Sequence, residues 1–204
     1  MAQKTVGALL FPEFELLDVF GPLEAFGHAK DWFRIVTVAE KSGPVTSAQG
    51  PRAVADHGFA DCPPLDILLV PGGMGTRREV TNAALVDWIA RQARSAETTT
   101  SVCTGAALLA RAGVLDGRRA TSNKRAFAWV AEQGPKVHWV RQARWVDDGS
   151  VVTSSGVSAG IDMTLHLIGR IAGSVVRDEI ATRMEYEARN DAAHDPFAKV
   201  WGLV

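Results

Sequence analysis

Cysteine is scarce in this chain: two thiols, Cys62 and Cys103, in 204 residues. There is no Cys-x-x-Cys and no His-x-x-x-His, and the five histidines are scattered at His28, His57, His138, His166 and His194. That excludes a disulfide framework and a metal site of recognisable ligand spacing, so no metal and no cofactor is expected. Neither sign of charge is in excess: 22 Lys and Arg stand against 23 Asp and Glu. No basic stretch tracks a phosphate backbone, which argues against nucleic acid as a partner. No apolar run is long enough to cross a bilayer. Met1-Ala2-Gln3-Lys4 leads directly into a strand-like segment, without the apolar stretch and cleavage site of a signal peptide. The expectation is a soluble, cytoplasmic protein with no membrane partner. Residues 1–204 should form a single domain, since no repeat, low-complexity stretch or linker divides them.

What is present alternates in period. Val6–Phe11, Phe33–Val38 and Asp66–Val70 are apolar or β-branched runs of strand length. Leu16–Ala29 and Ala83–Arg94 carry helical spacing, the former interrupted at Gly21-Pro22. Ser42–Phe59, rich in glycine and small polar residues, is expected to hold a hairpin excursion. Lys124–Gln133 reads as a helix, and Arg144–Thr153 as two strands around an Asp147-Asp148-Gly149 turn. Ile161, Leu165 and Ile168 mark one face of a helix starting near Ser158, and Ser174 is placed to cap a last helix over Val175–Glu187. Alternating strands and helices with apolar strand cores predict an α/β doubly wound sandwich with a mostly parallel sheet. In such sheets the ligand site lies beyond the carboxyl ends of the strands. Phe11-Pro12, Pro71-Gly72-Gly73 and Cys103-Thr104-Gly105 all fall there, which predicts one shared cleft.

Cys103 ends a β-prone run, Thr99-Thr100-Ser101-Val102, and opens an alanine- and leucine-rich helical run. On such an elbow the first N–H groups of the helix favour a thiolate nucleophile. The other role for a cysteine there is a small buried apolar residue. An acid from Glu13, Glu15 or Asp18 follows the first strand and could hold a proton beside the sulfur. Asp18 could equally cap its helix, and Glu13 and Glu15 could be solvated. Gly72 and Gly73 let backbone N–H groups approach a substrate closely, as an oxyanion pocket needs, or simply end a strand.

Together Phe11-Pro12-Glu13, Leu17-Asp18-Val19-Phe20-Gly21-Pro22, Asp61-Cys62-Pro63-Pro64-Leu65-Asp66, Val70-Pro71-Gly72-Gly73, Ser101-Val102-Cys103-Thr104-Gly105 and Ser158-Ala159-Gly160-Ile161-Asp162 resemble the ThiJ/PfpI superfamily (class I glutamine amidotransferase-like), and within it the isocyanide hydratase branch. The resemblance spans nearly the whole chain. It implies a flavodoxin-like fold, a homodimer and a cysteine nucleophile elbow. It places Cys103 on the nucleophile, Asp18 on the acid that contacts it, Thr104 on the residue after the nucleophile, and Gly72 and Gly73 on the pocket glycines. The chain departs from the pattern at Asn123. There the superfamily often has histidine, and asparagine can orient a group but cannot shuttle a proton. No histidine follows Cys103 directly, so a Cys–His pair for amide hydrolysis looks absent.

The activity this implies is addition of water to a small isonitrile, giving an N-substituted formamide through a Cys103 thioimidate with Asp18 as general acid and base. Asn123 and Lys124 would line a more polar pocket than an alkyl isonitrile prefers. Two other readings belong to the same superfamily. One is a glyoxalase or deglycase-like stress protein using the same thiol. The other is a non-enzymatic ligand or redox sensor in which Cys103 oxidises. The segment from Asn190 to Phe197 packs on a partner, returns to its own subunit, or trails on the surface.

Overall fold

The computed structural model describes residues 3–204; Met1 and Ala2, on which the reading of the leader partly rests, lie outside the described residues. In chain order the elements are β1 (Lys4–Leu9), α1 (Leu16–His28), β2 (Phe33–Ala39), β3 (Gly43–Thr46), β4 (Arg52–Ala55), β5 (His57–Gly58), β6 (Ile67–Val70), α2 (Thr76–Glu79), α3 (Ala83–Ser95), β7 (Thr98–Ser101), α4 (Gly105–Arg111), β8 (Arg119–Ala120), α5 (Phe127–Glu132), β9 (His138–Trp139), β10 (Trp145–Asp147), β11 (Val151–Ser154), α6 (Ala159–Ala172), α7 (Ser174–Arg183) and α8 (Phe197–Val200). Seven strands form the main sheet in the order β10-β11-β7-β6-β1-β2-β5. All neighbours are parallel except β10, which runs antiparallel to β11 across the Asp-Gly turn. This is the flavodoxin-like doubly wound arrangement. β3 and β4 form the expected separate hairpin.

The sheet is covered on both faces, which is why its strands read as nearly continuous apolar runs. On one side Phe26 of α1, Leu165 and Ile168 of α6 and Ile180 of α7 pack with Val6 and Ile67. On the other, Trp88 and Ile89 of α3 and Leu108 of α4 join Leu68 and Val70. β7 is the exception in composition: Thr98, Thr99, Thr100 and Ser101 are all buried. Its hydroxyls are tolerated where they find a backbone acceptor, as Thr100 Oγ1 does on Leu68 O at 3.0 Å.

Several boundaries differ from the sequence pattern. Gly21-Pro22 does not interrupt α1, which runs on with Pro22 inside it. Proline leaves the carbonyl four residues back without its usual donor. Here Gly21 and Pro22 are buried, and a Cβ on Gly21 would stand 2.9 Å from Ile161 Cγ1, so packing on α6 offsets the lost bond. Ser174 is not a capping residue: Gly173, at φ 95°, occupies the cap and no side chain bonds the first turn. α7 stops at Arg183, short of Glu187, where Glu185 turns to φ 48°. α5 begins at Phe127 because Lys124 is drawn inward. The C-terminal segment returns to its own subunit: Arg144 N–H donates to Ala192 O at 2.7 Å and Arg189 N–H to Asp162 Oδ1 at 2.8 Å. Asp162, which the sequence marked only as part of a motif, therefore acts as a buried anchor, paired also with Arg144.

The parallel strands reverse direction of addition between β1 and β6, where a crevice opens beyond the strand ends. The loops that follow β1, β6 and β7 meet there.

Candidate active site

Cys103 sits on the turn between β7 and α4 at φ 57°, a left-handed conformation that costs a non-glycine residue about 1–2 kcal/mol. Its neighbours over-determine that turn. Its N–H donates to Ser155 O at 3.1 Å, its carbonyl accepts from Ser122 Oγ at 2.7 Å, and Val102 N–H donates to Val70 O at 3.0 Å. The strain is thus held by β6, β11 and the loop after β8. The thiol is 6 % exposed and lines a cleft of about 340 Å³ together with Glu15, Gly73, Thr104 and Asn123.

Asp18 is 0 % exposed, in the first turn of α1. It caps nothing: no side chain bonds the α1 cap. Its Oδ2 accepts the Gly72 N–H at 2.8 Å, while Oδ1 has no hydrogen-bond partner. Burial pushes its pKa well above the ordinary range and the nearby Glu15 charge adds to this, against the opposing contacts from Gly72 and Cys103. The thiol is pushed up as well, first by burial and then by the Asp18 and Glu15 carboxylates; the Thr104 N–H and the Asn123 side chain pull it back. The helix start therefore does not make a free thiolate, as the elbow alone predicted. Acid and sulfur are neighbours: the Asp18 charge makes the thiol hold its proton, while the thiol draws the Asp18 pKa down against the larger effect of burial.

Of the other acids, Glu15 stands on the cleft wall, bonded by Gln49 Nε2 at 2.7 Å. Glu13 points outward to pair with Arg78 at 3.3 Å. The glycines act differently from the expectation. Gly72 N–H is committed to Asp18, and Gly73 N–H donates to Thr104 Oγ1 at 3.1 Å, so neither is a free oxyanion donor. Gly72 lies behind the cleft; a Cβ there would stand 2.6 Å from Thr104 N and 2.9 Å from Asp18 Oδ2. Only glycine lets the acid come this close to the elbow. Gly73, at φ 122°, does reach the wall. The donors aimed at the sulfur are instead the Thr104 N–H and Asn123. Asn123 Oδ1 accepts from Ala126 N–H at 3.0 Å, which fixes the amide so that its NH₂ faces Cys103.

Lys124 does not line the sulfur cleft. It is buried and paired with Asp195 at 3.3 Å, and it donates to Thr121 Oγ1, Ser122 O and Ala143 O. Among the described residues no histidine lines the cleft and no group of three or more His, Cys, Asp or Glu gathers as a metal site. Cys62 and Cys103 are both free. Cys62 is half-buried and pushed up to about 11 by burial and Asp61. Sequence reasoning missed Gly156, whose Cβ would stand 2.2 Å from Asn123 Nδ2 and 3.0 Å from Cys103 Sγ. Its signal was available: it follows the carboxyl end of β11, as Gly72 follows that of β6. It also missed Arg77 and Arg125 on the cleft wall, for which no local pattern existed.

The sequence profile of the DJ-1/PfpI family matches residues 4–170. The chain belongs to the DJ-1/PfpI family. It is similar to an isonitrile hydratase of Pseudomonas putida, 34% identical over 89% of this chain and 78% of that protein. It is also similar to the HTH-type transcriptional regulator GbdR of Pseudomonas aeruginosa, 32% identical over 94% of this chain but only 53% of the regulator. A THiJ/PfpI family protein from Pseudomonas syringae superposes with a TM-score of 0.85 at 28% identity, covering 98% of this chain and 85% of that one. The DJ-1/PfpI family thus includes both an enzyme and a regulator among the relatives of this chain. No helix of the described residues is long and apolar enough to cross a membrane.

Proposed function

We propose that this DJ-1/PfpI protein is a cysteine-dependent isonitrile hydratase, in which Cys103 is the nucleophile and Asp18 the general acid and base. The observation that carries the reading is a fully buried carboxyl set beside the sulfur of a strained elbow, with no histidine among the described residues that line the cleft. Peptide or amide hydrolysis needs a base that can also protonate an amine leaving group. An isonitrile needs less: a nucleophile and one proton delivered to the same carbon.

In the reactive form Asp18 and Cys103 hold one proton between them. The thiolate, steadied by the Thr104 N–H and the Asn123 amide, adds to the isonitrile carbon while Asp18 gives that carbon its proton. The product is a thioimidate, R–N=CH–S–Cys103. Asp18, now ionised, takes a proton from an entering water as its oxygen adds to the same carbon, and that proton passes to the nitrogen. Collapse returns the hydroxyl proton to Asp18, breaks the C–S bond and releases R–NH–CHO and the thiolate. The direct test is formation of N-substituted formamide from a panel of neutral and charged isonitriles, with Cys103→Ala and Asp18→Ala as inactive controls. A folded protein that hydrates none of the panel contradicts the reading.

A homodimer in the cytoplasm is the proposed working state. Leu17 and Phe20 of α1 and Phe197 and Trp201 at α8 are large apolar side chains left 41–49 % exposed, and Leu17, Phe197 and Trp201 line one groove beside the cleft. Covering such side chains favours association. Light scattering at micromolar concentration reports twice the 21.9 kDa chain mass if this holds.

A further inference from the structure

Two guanidinium groups stand on the wall of the Cys103 cleft, those of Arg77 and Arg125. Neither forms an ion pair among the described residues, although Arg78, next to Arg77 in the chain, is paired with both Glu13 and Glu79. Each unpaired arginine rests instead on an indole. Arg77 lies 4.6 Å from the centre of the Trp129 ring and Arg125 6.0 Å from that of Trp201. Stacking uses the face of a guanidinium and leaves its N–H edge free. It also orders the side chain without cancelling the charge. Among the described residues one acid stands on the wall, Glu15; it is hydrogen-bonded by Gln49 Nε2, pairs with neither arginine, and is outnumbered by the two of them. Arginines of this kind match a carboxylate or similar anion in two-point fashion.

We propose that the substrate of this cleft is a small anion, with a carboxylate or comparable group held by Arg77 and Arg125 while its reactive carbon faces Cys103. The cleft volume of about 340 Å³ suits a small molecule with one such group at the far end from the sulfur. This deepens the hydratase reading by naming the class of isonitrile, and rests on it for the reaction. The anion site itself does not.

The test separates the two. Iodoacetate and iodoacetamide deliver the same carbon to a thiol and differ in charge. Their rates at Cys103 are read by peptide mass spectrometry at low salt, with 2-mercaptoethanol as the reference thiol. The iodoacetate-to-iodoacetamide ratio at Cys103 is expected to exceed the reference ratio about tenfold, because two positive charges in a partly dry cleft attract the anion. It should fall toward the reference in high salt and in the Arg77→Gln/Arg125→Gln double variant. A ratio at or below the reference, a ratio unchanged in the double variant, or a Cys103 that neither reagent modifies overturns the anion site. In parallel, an alkyl isonitrile and its terminal-carboxylate counterpart are compared. The carboxylate should have the higher kcat/KM, through a lower KM. Faster turnover of the neutral compound also overturns the anion site. No turnover of either, with the alkylation preference intact, refutes the hydratase reading alone.

Discussion

The Asp18 region and the Asp195 region each bury a carboxyl, and they use it in opposite ways. Asp195, 2 % exposed, meets the Lys124 ammonium at 3.3 Å and accepts the Phe197 N–H at 3.0 Å. It ties the C-terminal segment to the loop that carries Asn123. Among the described residues Asp18 meets no cation; its company is a glycine N–H, a thiol and the charge of Glu15. A buried carboxyl opposite an ammonium is held by that pair and serves architecture. A buried carboxyl without one keeps its proton and is available for chemistry. The lesson is that burial alone does not mark the site; the absence of a counter-charge does.

The largest expected effect separates the two aspartates by activity. Asp18→Ala and Cys103→Ala should each lower turnover by at least about a thousandfold, since the proposed nucleophile and acid would act as a unit. Asp195→Ala should act mainly through stability. It leaves the Lys124 ammonium buried and unpaired, at a cost of about 3–5 kcal/mol read by chemical denaturation. Replacing the pair together, Lys124→Met with Asp195→Leu, should recover most of that loss. If Asp195→Ala unfolds nothing, the architectural half of the comparison fails.

Gly72→Ala comes next. Its Cβ would strike Thr104 N at 2.6 Å and Asp18 Oδ2 at 2.9 Å, both fixed groups. Overpacking of this kind costs about 1–3 kcal/mol, and the acid is displaced from the sulfur. Lower stability with unchanged kcat would show that the Asp18 contact is not needed.

A smaller effect concerns pH. Asp18 binds its proton more tightly folded than unfolded. Its contribution to stability is therefore complete below the ordinary carboxylate range and is lost as pH rises through the raised folded value. Asp18→Asn removes this dependence, so the melting temperature of Asp18→Asn relative to the parent should climb as pH is raised from about 4 toward neutrality. The slightest expected change is from Glu15→Gln. Its charge raises both Asp18 and Cys103, so both ionisations should move to lower pH.

Much of this was legible because it is local. The apolar strands, the Asp-Gly hairpin and the strand-to-helix joint at Cys103 are set by residues within a few positions of one another. That Gly73, Cys103 and an acid following β1 converge follows from the rule for strand ends; that the acid is Asp18, not Glu13 or Glu15, was implied only by the family resemblance. What stayed hidden is tertiary. Pro22 reads as a helix break until α6 is there to receive it. Lys124 reads as a pocket residue until Asp195 arrives from 71 positions further along the chain. Gly72 and Gly73 read as free donors until Asp18 and Thr104 occupy them. The sulfur's high pKa follows from burial and from Asp18, neither of which the elbow sequence contains.

The central claim is that the Asp18 carboxyl and the Cys103 sulfur are electrostatic partners. The pH dependence of Cys103 alkylation by iodoacetamide, in the parent protein and in Asp18→Asn, tests it most directly. The account predicts a thiol that ionises above the ordinary cysteine range in the parent and at clearly lower pH once the Asp18 charge is gone. The same midpoint in both proteins would contradict it.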